Sequence, residues 1–280
     1  MRIRINTLVV FLTVMICASA ASAQERVSLR PVLTVGQESR YAIAATVETA
    51  VTPGGVDGLA ANSRRELTAT LTVRTVKLGS GEIRQEATVE AITFSASGAD
   101  KAAKEIAGQK IEFTTNPAGH VVKCAFPNSA GYQAAAELLF NMSGWYPSGE
   151  VSVGELWAAA GQGPVYTDRL SDISKGATTA YKLASLSKGI ASIEGAVTLD
   201  QKGVSVLRAG EASDIGVVAS GKGTARFDYD ISAGRLVGCV TESRLEGKVS
   251  HTKPTAEGEK LHPREGSLVE TAKFSIKLIP

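Results

Sequence analysis

Few residues in this chain are spaced as catalysis requires. Ser185-Leu186-Ser187-Lys188 and Ser250-His251-Thr252-Lys253 both fit Ser-x-x-Lys. In that pairing a lysine one helical turn after a serine takes the hydroxyl proton and leaves a nucleophile. Here both copies fall at strand ends or loop tips, and the companion motifs of the penicillin-binding class are missing. Gly216-Val217-Val218-Ala219-Ser220-Gly221-Lys222 nearly spells a phosphate-binding loop, but Gly223 stands where a Ser or Thr must hold magnesium. A strand follows it, so no helix N-terminus would face a phosphate. His251 and His262 share a loop with Glu257, Glu259 and Glu265, donors that zinc accepts. Zinc ligands need rigid supports, and this loop carries Pro254, Gly258, Pro263 and Gly266, so it reads as solvated. His120 follows a turn glycine and reads as a surface strand residue. No Gly-x-Ser-x-Gly elbow is present. The chain is therefore expected to be no enzyme, with no catalytic residue, no metal and no cofactor.

The cysteines point elsewhere. Gly119-His120-Val121-Val122-Lys123-Cys124 and Gly234-Arg235-Leu236-Val237-Gly238-Cys239 share a pattern of Gly, polar, two aliphatics, any residue, Cys. Each lies 11 residues after another glycine, Gly108 or Gly223. Ile111–Thr114 and Arg226–Tyr229 read as strands, and each unit reads as a hairpin whose second strand ends in Cys. A Cys124–Cys239 disulfide joining the two halves is expected, with two buried free thiols as the alternative.

Residues 1–23 form an export leader. Arg2 and Arg4 are the positive start, Leu8 to Ile16 the apolar stretch, and Ala21-Ser22-Ala23 the cleavage site. Lipidation at Cys17 is disfavoured by the bulky Ile16 before it. Location is expected to be periplasmic or secreted. The leader holds two of the 30 basic residues and no acid, so residues 24–280 are formally neutral against 28 acids. Neutrality without a basic cluster argues against nucleic acid and anionic membrane surfaces. No later apolar run is long enough to span a bilayer.

The rest reads as strands. Leu67, Ala69, Leu71 and Val73 alternate with Thr68, Thr70, Thr72 and Arg74, a period-two pattern with one apolar face. Gly79-Ser80-Gly81 turns the chain into Ile83–Phe94. Thr178–Leu186 and Ile190–Leu199 form another hairpin through Ser187-Lys188-Gly189, and residues 200–220 look less regular. Phe274, Ile276 and Leu278 alternate in the last strand. Residues 97–107 suit a loop or short helix, and the spacing predicts a helix over Ala130–Met142. Trp145, Tyr146 and Trp157 either line a ligand site or plug one end of the sheet.

These features resemble a family of exported bacterial envelope proteins of unknown function. They are the Gly36–Tyr41 "GQxxRY" opening, Val151–Trp157 ("VSVGELW") and the Gly-turn hairpins near 119 and 234. The resemblance implies a fold like the half-open β-barrels of periplasmic lipoprotein carriers, and no catalytic residues.

The expected architecture is all-β and mainly antiparallel: a curved sheet or half-open barrel with one helix region. Residues 24–280 would form a single domain with pseudo-repeats at about 40–125 and 177–240, joined by a helix region at 128–165. The expected function is to hold a lipid-like ligand or an envelope partner in the concave face. Leu71, Val73, Trp145, Trp157, Phe274 and Ile276 are the candidate lining. The alternatives are a structural module with a filled core and an enzyme of unidentified type.

Overall fold

A computed structural model of the chain describes residues 25–52, 62–95, 100–117, 119–125, 145–158, 174–209, 211–252 and 264–280. The expected helix over Ala130–Met142 lies outside them. The described residues are all-β apart from one short helix, α1 (Asp100–Ile106). The main sheet has 11 antiparallel strands and is not closed into a barrel.

The strands follow one another across the sheet with one exception. From the centre outward on one side run β2 (Glu38–Thr52), β3 (Asn62–Leu78), β4 (Ile83–Phe94), β5 (Lys110–Thr115) and β6 (Val121–Ala125). On the other side run β13 (Arg264–Ile279), β12 (Arg235–Thr252), β11 (Glu211–Asp230), β10 (Ile190–Ala209), β9 (Ser174–Ser187) and β8 (Leu156–Ala158). The exception is the centre, where β2 pairs with β13. A separate pair, β1 (Arg26–Val27) with β7 (Val151–Ser152), lies outside this sheet.

Register explains the core. Ile92, Ala69, Ile43, Ile276, Cys239, Phe227, Ile193 and Leu183 are successive cross-strand partners on eight neighbouring strands. All eight are buried. They form one apolar row on the inner face, as period-two alternation demands. The opposite face is charged and laced with ion pairs: Arg40–Glu90 at 2.7 Å, Lys110–Glu86 at 2.9 Å and Lys273–Glu242 at 2.6 Å. Each exposed pair contributes at most about 1 kcal/mol, so the inner face carries the stability.

The sheet bends strongly. Phe113 on β5 and Leu236 on β12 line one small cavity although four strands lie between them. Val51 on β2 and Val217 on β11 share a second apolar cluster with Leu245, Val249 and Leu268. Glycine allows close contact between β11 and β12: a Cβ on Gly221 would run into the Arg244 carbonyl on the next strand, and one on Gly247 into Val218 and Ala219. Gly216 to Gly223, the stretch resembling a phosphate-binding loop, is part of strand β11.

Two other expectations are corrected. Residues 200–209 and 211–220 are regular, because β10 and β11 pair continuously from Ile190–Asp230 to Ala209–Glu211. Their glycines hid the alternation. Cys124 and Cys239 are free thiols rather than a disulfide. Five strands lie between them in the sheet.

Candidate functional site

The inner face has three zones. At the turn end, two segments of the chain fold back over it. Residues 25–36 run as a strap, fixed by Val32 N–H to the Gly234 carbonyl (3.1 Å), Gly36 N–H to the Thr75 carbonyl (2.9 Å) and the Tyr229 hydroxyl to the Arg30 carbonyl (2.7 Å). Beside it sit Trp145 and Tyr146, stacked with centroids 4.1 Å apart. Trp145 also stacks on Phe227 at 5.2 Å and meets Tyr229 edge-on at 5.3 Å. Trp157 donates its Nε1–H to the Trp145 carbonyl at 2.8 Å and stacks on Tyr181. This is an aromatic plug on the sheet, with Trp145 only 1% exposed.

Beyond the fully buried row lies the second zone. Phe94, Leu67, Ala45, Phe274 and Thr241 are cross-strand partners on the same face. All five are partly buried, with Leu67, Phe94 and Phe274 packed against the core. Val47 and Ala272, the next partners, are partly buried too. This mainly apolar, partly exposed strip of the inner face is the trough. The third zone is the cluster of Val51, Val217, Ala219, Leu245, Val249 and Leu268 near the far strand ends.

The expected lining residues divide among these zones. Phe274 lies in the trough, and Trp157 is half-buried beside the plug. Leu71, Trp145 and Ile276 are enclosed by the protein's own core. Val73 lines a cavity of about 100 Å³ at the turn end, together with Tyr41, Gln85, Thr115, Tyr146 and Arg235. The sequence reading missed this cavity. The available signal was Tyr41 at an inward-facing position of β2, next in line to aliphatic Ile43.

The titratable groups fit a closed interior. Burial pushes the Cys124 thiol up to about 11 and the Cys239 thiol up to about 12, so neither is a thiolate nucleophile. Each instead stands directly across from a phenylalanine, Phe113 or Phe227. The shared Cys of the two hairpins is a small apolar partner for an aromatic ring. Burial also raises the phenols of Tyr41, Tyr146 and Tyr229, which stay protonated. Burial lowers the pKa of His120. No group of three or more metal-ligating side chains occurs among the described residues. His262, Glu257, Glu259 and Lys253 lie outside them. Ser185 lies in β9 and Lys188 in the hairpin turn at φ 50°, so that Ser-x-x-Lys pair has no helix.

No family model matches the chain, and no curated protein matches it. Among solved structures it overlaps porins. A chain described as "Asymmetric conductivity of engineered proteins" is 10% identical, covering 85% of this chain and 100% of that one, at a TM-score of 0.23. Two mutants of Rh. blastica porin overlap at 10% and 11% identity over 85% of this chain and 99% and 100% of theirs, also at 0.23. Likeness at that score carries no functional weight.

Proposed function

We propose that this is an exported, non-enzymatic protein that holds an apolar or lipid-like guest in the trough of its curved sheet. The supporting observation is the row Phe94–Leu67–Ala45–Phe274, partly exposed and contiguous on the inner face, beside a row that is fully buried. Apolar surface left contiguous and open marks a binding site more often than chance. Each guest methylene buried there contributes about 0.8 kcal/mol, so a single acyl chain binds without a charged anchor. Export rests on the leader at 1–23, and the resemblance to envelope proteins agrees with it. The outer face carries charge pairs where a lipid-facing strand carries an apolar band, which supports a protein standing in water.

One observation favours the rival, a structural envelope module with a filled core. The turn half of the inner face is occupied by the chain's own Trp145, Tyr146 and Leu29. The cavity left there, about 100 Å³, is smaller than the roughly 150 Å³ that admits a benzene.

Titration of residues 24–280 with a fluorescent fatty acid tests the reading. Saturable binding is expected, weakened roughly tenfold or more by Phe274→Glu or Leu67→Glu, equivalent to about 1.4 kcal/mol. Both side chains are partly exposed, so the variants fold, which circular dichroism checks. Absent saturation, or equal binding by both folded variants, leaves the filled module.

A further inference from the structure

We propose that the cavity at the turn end of the sheet is a binding site for a small carboxylate, with Arg235 as its charge partner. This site lies beyond the aromatic plug from the trough and does not depend on the trough holding a guest.

The lining is chemically one-sided. Among the described residues it contains a single cation, Arg235, and no Asp or Glu. Arginine has five N–H donors and no acceptor. The Nε of Arg235 is buried without a hydrogen-bond partner in the protein, an arrangement that favours an acceptor. The other polar groups in the lining tend the same way. The Thr115 hydroxyl donates to Gln85 Oε1 at 3.4 Å, which leaves the Nε2 end of that amide to donate. The Ser39 and Tyr41 side chains also line it. Tyr146 and Thr75 supply further hydroxyls. A carboxylate, which only accepts, is complementary to such a wall.

Size selects among anions. A volume of about 100 Å³ has room for several waters, and so for a small carboxylate. The remaining wall is apolar, with Val73, Phe113, Val121 and Leu236, and suits a short alkyl group beside the head. The site is also prebuilt, since both hairpin glycines, Gly119 and Gly234, line it, with the strap packed against each.

Isothermal titration calorimetry of residues 24–280 in chloride-free buffer tests the proposal. Sodium acetate is the probe, acetamide its neutral isostere, and sodium octanoate a carboxylate at a chain end. Acetate is expected to bind saturably and acetamide not at all. Arg235→Gln should weaken acetate at least tenfold, while Arg244→Gln on the outer face leaves it unchanged. Tyr146→Phe, which keeps the stacked ring and removes the hydroxyl, should weaken it severalfold and stands in if Arg235→Gln does not fold. Octanoate that competes with acetate assigns the site to chain ends; octanoate that does not assigns it to free small acids. Acetamide binding equal to acetate, full acetate binding by folded Arg235→Gln, or no saturable heat would show a water-filled cavity and overturn the proposal.

Discussion

Gly234→Ala should be among the most damaging one-carbon changes in this protein, and Gly36→Ala supplies its control. Both glycines have positive φ, +59° and +84°. Alanine in that region is disfavoured by about 1–2 kcal/mol, a penalty common to both. At Gly36 nothing lies within 4 Å of the added methyl, so that penalty is the whole effect. At Gly234 the methyl would occupy the space of the Val32 backbone nitrogen and Cβ. Overpacking against backbone adds about 1–3 kcal/mol. The Val32 N–H to Gly234 carbonyl bond is strained as well, at about 1 kcal/mol. Gly36→Ala is thus expected to cost about 1–2 kcal/mol and Gly234→Ala about 3–6 kcal/mol, against a typical domain stability of about 5–15 kcal/mol. Urea unfolding of the two variants and the parent measures the difference directly through the midpoints. Variants within about 0.5 kcal/mol of each other would mean that the strap does not press on the hairpin, and the account of the turn end would fall. Gly119→Ala should come between them, because its methyl meets the Tyr146 ring edge 2.5 Å away rather than backbone.

Two further outcomes follow from buried groups. Residues 24–280, unfolded without reductant, should yield two reactive thiols, and the folded protein should react slowly because burial raises both thiol pKa values. A bonded pair, with no thiols released, would contradict the structure. Acidification should also destabilise the protein through His120, whose folded pKa lies below its ordinary 6.5. At higher pH both states are neutral there and nothing is lost. Below 6.5 the unfolded chain takes up its proton first, so stability falls from about 6.5 down to the folded value. His120→Gln should flatten that limb of a stability–pH curve, and an unchanged slope would rule the effect out.

The strands were legible where alternation was clean. Leu67 to Val73 and Phe274 to Leu278 lie on the inner face as their spacing implies, and the turns at Gly79–Gly81 and Lys188–Gly189 connect the hairpins read from them. Legibility failed where glycine replaced a side chain. Gly203, Gly216, Gly221 and Gly223 interrupt the apolar period in β10 and β11, yet at Gly221 and Gly223 the neighbouring strand leaves no room for a Cβ. A glycine chosen for close strand contact looks, in one dimension, like a glycine chosen for a loop. The repeated hairpins were visible, but their meaning was not. The cysteines drew attention as a covalent pair, whereas the shared features that meet in space are the two turn glycines around Pro31 and Val32. Burial of Leu71, Trp145 and Ile276 was equally hidden, since it depends on the strap and plug crossing the sheet from distant parts of the chain.

The central place of β13 has a kinetic consequence. The last strand in sequence lies between β2 and β12, so the Ile43–Ile276 partnership closes a loop of more than 200 residues. Until residues 264–279 pair, no strand ladder among the described residues joins the two arms of the sheet, and the strap at 25–36 links them. High contact order slows folding, so pairing of β2 with β13, which spans more sequence than any other pairing in the sheet, is expected to be the slow step.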